Sequence, residues 1–204
     1  ACLAIGYFSR EGVRRDLLSV AESNNVVLAH TFSSLIWPKY ADFFTAAGSM
    51  DIWVLRGHAV TRALRKEVLT AIEGIPVVKV KVYDANGLTV FSTQASQIGE
   101  DKSGNTGFIT ARAGGILSDF THRDTFIANE HAVEDRDLLF SYVPIKNRLD
   151  QIEGVFEIYY DVTELLARTE RAQQIQFAIV AASLAVLFTA LVFAVWLIER
   201  DRQR

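Results

Sequence analysis

The sequence predicts an α+β domain built on a five-stranded antiparallel sheet, with long helices before it and a membrane-spanning helix after it. Three patterns carry this reading. Apolar residues recur at helical spacing from residue 11 to 72, short segments alternate with period two from 77 to 160, and Phe177 to Ile198 is apolar without a charge. That last run, FAIVAASLAVLFTALVFAVWLI, rises about 1.5 Å per residue and so crosses the roughly 30 Å hydrocarbon core of a bilayer. Glu199-Arg-Asp-Arg-Gln-Arg204 follows, and three arginines against two acids place the C-terminus in the cytoplasm. The domain ahead of the span is then expected outside the cell membrane, and a single cysteine is compatible with a bacterial periplasm.

Composition narrows the function. The 204 residues, less the span, suffice for one domain with its own core. A net charge of -3 leaves no basic footprint, so nucleic acid is not an expected partner. The single cysteine, Cys2, excludes an internal disulfide and a Cys-rich metal site. No Cys-x-x-Cys-His exists for covalent haem, and no cofactor is expected. Ala1 to Phe8 is apolar and stops at Ser9-Arg10; it is expected to be the outer end of a first transmembrane helix, with a buried N-terminal segment or a signal tail as the alternatives.

The first helix is expected from about Glu11 to Ile36. Val13, Leu17, Val20 and Val27, flanked by Leu18, Ala21, Leu28 and Leu35, form a stripe wide enough for a sheet and a partner helix. Asn24 lies in that stripe, where it either fixes register in a parallel dimer or is solvated. Pro38 is expected to break or restart the helix. Trp37, Tyr40, Phe43 and Phe44 read as core. Gly48-Ser49 ends the segment, and Ser49 is the expected cap of a helix from Met50 to Ile72 that buries Ile52, Leu55, Val60, Leu64, Val68 and Ile72. His58 on that helix reads as surface or structural.

At Gly74-Ile-Pro76 the period changes to two. Val77 to Tyr83, the turn Asp84-Ala-Asn-Gly87, and Leu88 to Ser92 read as a hairpin. Val78, Val80 and Val82 should share one face; Lys79, Lys81 and Tyr83 should share the other, with Phe91. Two lysines on one face put it in water, or, if helices or loops cover it, line a cavity that favours an anion. Residues 96–107 are a polar, Gly-rich connector, too irregular for a calcium loop. A short helix from Phe108 to Ala113 follows, then strands at about 116–123, 137–145 and 154–160, with loops at 124–136 and 146–153. Asp161 and Glu164 have capping-box spacing for the exit helix.

Several constellations suggest chemistry. His122-Arg-Asp-Thr-Phe-Ile-Ala-Asn129 has the spacing of a protein-kinase catalytic loop, but no Gly-rich phosphate loop precedes it, so that reading is rejected. His122, Arg123 and Asp124 either sit at a strand end over a pocket, where arginine holds a carboxylate or phosphate bidentately, or anchor a loop with Asp135 and Arg136. A metal held by His122 and His131 with Asp119 or Asp124 matches no template, and no Ser stands in a nucleophile elbow for a triad of Ser141, His122 and an Asp. Tyr142 and Tyr159 or Tyr160 are either pocket walls or core.

The hairpin KVKVYDANGLTVFST, the following Gln97-Ile-Gly-Glu100 and the closing EGVFEIYYDVT resemble the extracytoplasmic PAS-like sensor domains of bacterial receptors, the Cache or PDC group. The resemblance covers about residues 10–170. It implies a single PAS-like module that binds a small molecule between its sheet and covering loops, as a homodimer, upstream of a histidine kinase, a diguanylate cyclase or a chemotaxis output, the histidine kinase being favoured. It implies no catalysis within these residues. The expected segments are then the end of a first span (1–8), N-terminal helices (9–75), sensor core (76–162), juxtamembrane signalling helix (163–176), span (177–198) and the start of the cytoplasmic region (199–204). The expected ligand-binding residues are Lys79, Lys81, Tyr83, His122, Arg123 and Tyr142, for a small anionic ligand. A membrane-anchored, protein-binding adaptor is the rival reading.

Overall fold

Alternation between residues 77 and 161 produces five strands: β1 (Val77–Asp84), β2 (Thr89–Ser92), β3 (Leu117–Ala128), β4 (His131–Lys146) and β5 (Ile152–Asp161). They pair in the order β2-β1-β5-β4-β3, every pair antiparallel. The computed structural model describes residues 2–147 and 149–202, with side-chain surroundings from 19 to 200 except at 148, 170 and 197. The chain divides into two compact units, residues 1–163 and 164–204.

Helices α1 (Cys2–Ala47), α2 (Ile52–Gly57) and α3 (Ala59–Ala71) precede the sheet. α1 runs through Pro38 instead of ending there. A proline inside a helix costs about 3 kcal/mol, and the burial of Ile36, Trp37, Tyr40 and Phe44 on either side of it outweighs that cost. The expected buried stripe is also displaced. Val20 and Val27 are exposed, and the face turned to the sheet is Ala21, Asn25, Ala29, Phe32 and Ile36. Asn25, not Asn24, is the buried amide: its Nδ2 donates to Ser141 Oγ at 2.9 Å and to the Ile158 carbonyl at 3.1 Å. A single helix from Met50 to Ile72 does not form. Asp51, not Ser49, caps α2 by accepting from Trp53 N–H at 2.9 Å, and the chain breaks at His58, whose Nδ1 caps α3 by accepting from Val60 N–H. Ile52 is consequently exposed, while Leu55, Leu64, Val68 and Ile72 are buried as expected.

The β1–β2 turn is made by Asp84, whose Oδ1 accepts the N–H groups of Asn86 and Leu88 at 2.9 Å, with Gly87 left-handed at φ +96°. A bulge between Val77 and Lys79 moves Val78 off the expected face. Val77, Val80 and Val82 pack with Phe91, Phe156, Ile158 and the helices; Val78 packs with Phe126, Leu138 and Tyr159 on the opposite face. Phe91 therefore belongs to the helix side, not to the face of Lys79 and Lys81. The expected loop at 124–136 is a continuation of β3 and β4 into a long hairpin, turned by Asn129 and Glu130, both left-handed at φ 45° and 76°. Its tip is tied down, since Glu130 Oε1 pairs with Arg65 at 2.9 Å and accepts the Ala95 N–H at 2.7 Å. Helix α4 (Thr106–Arg112), capped by Asn105, lays Phe108 and Ala111 on the second sheet face.

Helix α5 (Thr163–Arg202) begins at the last residue of the first unit and runs through the second, and among the described helices it is the one long and apolar enough to cross a membrane. Its exposed residues include Phe177, Ile179, Leu184, Leu187 and Phe193. Glu164 does not close a capping box; it pairs with Arg168 at 2.5 Å, and the Asp161 N–H donates to the Pro76 carbonyl. The side chains of residues 1–8, expected to end a first span, fall outside those described.

Removing the buried amide tests the seating of α1 on the sheet. Asn25→Ala strips Ser141 Oγ and the Ile158 carbonyl of a donor and is expected to destabilise the first unit by about 1–3 kcal/mol, read by denaturant unfolding, whereas Asn24→Ala on the exposed face leaves stability within about 0.5 kcal/mol.

Candidate functional site

Strand alternation puts Lys79, Lys81 and Tyr83 of β1 beside Tyr159, Glu157 and Val155 of β5, with Tyr142 of β4 opposite Glu157. This face is roofed rather than wet. Phe108 lies edge-on to Tyr83 with ring centres 6.0 Å apart, Tyr83 stacks on Tyr142 at 6.2 Å, and Phe140 and Phe126 flank Tyr159 at 5.5 and 5.4 Å. A methyl group on Gly107 of α4 would overlap the Tyr142 ring, so only glycine lets α4 sit this close.

Glu157 is at the centre, and nothing in the sequence expectations named it. Its side chain is 1% exposed, and that of its partner Lys81 is 6% exposed, with Lys81 Nζ 3.4 Å from Oε2. Tyr83 donates its hydroxyl to Oε2, and Tyr159 donates to Oε1 at 2.8 Å. Burial, followed by the charge of Glu157, holds the phenols of Tyr83, Tyr142 and Tyr159 well above their ordinary range, so all three stay protonated and serve as donors. The signal was present in β5, where the alternation Val155, Glu157, Tyr159 puts the acid on the face of the lysines.

Lys79 is differently placed. Its ammonium donates to Gln94 Oε1 at 2.8 Å and lies 4.0 Å from the centre of the Phe126 ring. Burial, with the charge of Lys81 adding to it, brings its pKa down to about 8. Glu157 and Glu100 oppose that shift, and the guanidinium of Arg123 reinforces it. Arg123 acts in the same direction on Tyr159, so its charge is felt at this face from the exposed strand β3. Lys79, Lys81, Tyr83 and Tyr142 are thus brought together, and Arg123 joins them electrostatically.

His122 stands apart. It is half exposed on β3, with Nδ1 3.0 Å from Asp137 and Nε2 3.5 and 3.6 Å from Asp124 and Asp135. This is the anchoring arrangement, in which Arg136 pairs instead with Asp161 at 3.5 Å. Among the described residues no three His, Cys, Asp or Glu side chains are grouped to hold a metal ion. The kinase-like segment is strand and turn. Asp137 has a second role, because its N–H donates to Thr163 Oγ1 at 2.9 Å and its carbonyl accepts the Val162 N–H at 2.9 Å, which fastens β4 to the end of β5.

No protein-family model matches the chain, and no curated protein matches it. Among solved structures it is similar to the sensor domain of the histidine kinase DctB from Vibrio cholerae, at 15% identity and a TM-score of 0.52, over 79% of this chain. The match takes in 57% of the DctB chain, so this chain spans little more than half of that relative's length. The sensor domain of DcuS from E. coli is 17% identical over 76% of this chain and 97% of that one, with a TM-score of 0.47. The periplasmic domain of RsbU from Chlamydia trachomatis is 14% identical over 79% and 58%, with a TM-score of 0.39. The likeness to DctB shows the fold alone, a PAS-like five-stranded antiparallel sheet with a long leading helix.

Two measurements probe the site. Lys81→Met leaves Glu157 buried without a counter-charge and is expected to cost about 3–5 kcal/mol in chemical unfolding. Lys81→Met with Glu157→Leu recovers part of that loss but not all, because the Tyr83 and Tyr159 hydroxyls then lack an acceptor. At His122, the hydrogen bond with Asp137 raises the imidazole pKa, the charges of Asp137, Asp135 and Asp124 add to it, and partial burial opposes. A raised pKa contributes stability that is fully present below about pH 6.5 and is lost as pH rises through the folded-state value. His122→Gln should remove that pH-dependent component from melting curves taken between about pH 5.5 and 8.

Proposed function

We propose that this chain is the sensing part of a transmembrane signalling receptor, with the first unit outside a bacterial inner membrane, and that it responds to a small anionic molecule. The observation that carries this reading is the balance of charge on the roofed sheet face. Lys79, Lys81 and Arg123 act there against the one buried acid, Glu157. Glu157 neutralises Lys81, so the cations with capacity to spare are Lys79 and Arg123. An anion between them would replace water with a lysine ammonium and a guanidinium fork, while Tyr142 and Tyr159 supply ring edges. His122 is not a ligand contact in this scheme; it braces the β3–β4 hairpin.

Binding would draw that hairpin toward β1, and ligand affinity differing between two hairpin positions is what shifts their populations. Asp137 carries the movement to Val162 and Thr163, where β5 ends and α5 begins. The receptor would act as a homodimer. Exposed Val20, Asn24, Val27 and Thr31 of α1 follow the alternating four- and three-residue steps of a two-stranded coiled coil, with Asn24 at the position where a polar residue sets register. A histidine kinase is the favoured output beyond α5, a diguanylate cyclase or chemotaxis module the alternative. The close aromatic packing of Tyr83, Tyr142 and Phe108 favours a second reading, an adaptor that binds a protein and holds no small molecule.

The deciding experiment is a melting-temperature screen of the full chain in detergent micelles against small carboxylates, phosphate and amino acids. A stabilising anion is expected, with affinity lowered roughly tenfold or more in Lys79→Gln and in Arg123→Gln, since each removes one charged hydrogen bond. Its affinity should also fall as pH rises through about 8, where Lys79 loses its charge. Silence across the set would reject the anion sensor in favour of the adaptor.

A further inference from the structure

Glu157 occupies the place that a ligand's carboxylate would take on this face. Its group beyond Cβ, one methylene and one carboxylate, is enclosed by Lys81 Nζ, the Tyr83 hydroxyl and the Tyr159 hydroxyl, one ammonium and two phenols that both donate to it. No backbone strain or turn requires an acid there. Its strand neighbours on the same face, Val155 and Tyr159, are an aliphatic and an aromatic residue that pack into the roof.

We infer that Glu157 is a tethered carboxylate that permanently fills one anion subsite of the domain, formed by Lys81, Tyr83 and Tyr159. This rests on the reading that this face is the ligand face, and it narrows the ligand class. With the Lys81 subsite filled from within, an external ligand has one anionic position left, beside Lys79 and Arg123, and is therefore a compound carrying a single anionic group. The tether also has a structural effect. A subsite filled by a free ligand is empty when the ligand is scarce, and the aromatic roof then loses the charge that organises its three phenols. A tethered carboxylate keeps that half of the face assembled at every ligand concentration. The domain would then be ordered before it meets a signal, with Lys79 and Arg123 alone reporting occupancy.

The test is chemical rescue. Glu157→Ala removes the equivalent of one acetate ion from the face. The full-length variant in detergent micelles is measured in sodium acetate against sodium chloride at equal ionic strength, beside the wild type. A melting temperature lower than that of the wild type in chloride, rising with the logarithm of acetate concentration, is expected for the variant, and the rise exceeds any that acetate gives the wild type beside Lys79 and Arg123. Methylammonium should rescue nothing. A variant indifferent to acetate, or a wild type that gains as much from acetate as the variant, overturns the inference. Should Glu157→Ala not fold in either salt, Glu157→Gln decides, because it keeps the shape and removes the charge. A glutamine variant that melts like the wild type at neutral pH overturns the tethered-anion role, and one that melts lower, with its amide filling the subsite so that acetate restores nothing, supports it. Rescue of Glu157→Ala while the wild type ignores every anion in the earlier screen would uphold this inference and reject the anion sensor, so the two fail separately.

Discussion

Lys81 and Glu157 can lie together on a covered sheet face only because each supplies the other's counter-charge, and because tyrosine hydroxyls take up the carboxylate's remaining capacity. Moving either ion from water into a protein interior costs several kcal/mol, and their attraction repays that only where geometry is good and the leftover lone pairs are bonded. Both conditions constrain the rest of the face. Tyr83 and Tyr159 must present hydroxyls inward, which requires their rings to stand against Phe108, Phe126, Phe140 and Tyr142. The rings in turn require a roof, and α4 supplies it by approaching through Gly107, where a larger residue would not fit. A polar pair at the centre thus sets the aromatic shell, and the aromatic shell sets the position of the cover.

The two sheet faces are organised by opposite means. On the helix side, a continuous apolar core joins Phe32, Ile36 and Phe44 of α1 with Leu64 and Val68 of α3, and with Val80, Phe91, Phe156 and Ile158 of the sheet. Such packing tolerates small adjustments, so it needs one feature to fix its register. Asn25 is that feature, since its amide finds Ser141 and the Ile158 carbonyl only at one setting of the helix along the sheet. On the other side, charge and hydrogen bonding dominate, and position is dictated pair by pair.

This division explains what could be read from the residues. The five strands and their alternation were legible because periodicity is a local property, and so was the β1–β2 turn, where Asp84 and Gly87 have the chemistry the turn demands. The position of Val78 was not, because a bulge shifts a face without altering the composition of the strand. The continuation of β3 and β4 through 124–136 was hidden by its acidic, polar sequence, whose order comes from Asn129 and Glu130 in the turn and from distant Arg65 and Ala95. The lysines of the site were visible as an oddity, two charges on one strand face. Their partner was not recognised, because Glu157 lies 76 positions from Lys81 in a strand that also reads as plain core. On α1 Val20, Val27 and Leu35 of the expected stripe proved to be exposed, and Ala21 and Ala29 begin the buried side that continues through Phe32 and Ile36.

That outer stripe bears on what the fold can do. A helix that turns Val20 and Val27 to solvent beside Asn24 leaves apolar area unburied, at roughly 25 cal/mol for each square ångström, while its alanine side meets the sheet. Through Asn25, α1 is bonded to the Ile158 carbonyl, and Ile158 lies in the strand that carries Glu157 on its other side and ends at Asp161. β5 is therefore the element that makes polar contacts on both faces. It holds the carboxylate toward the roofed site, offers a carbonyl to the long helix, and stops one residue before Val162, which is itself hydrogen-bonded to Asp137 of the hairpin. Asp137 of the hairpin holds Val162 and Thr163 through its own backbone, so the hairpin and the end of β5 are fastened to each other.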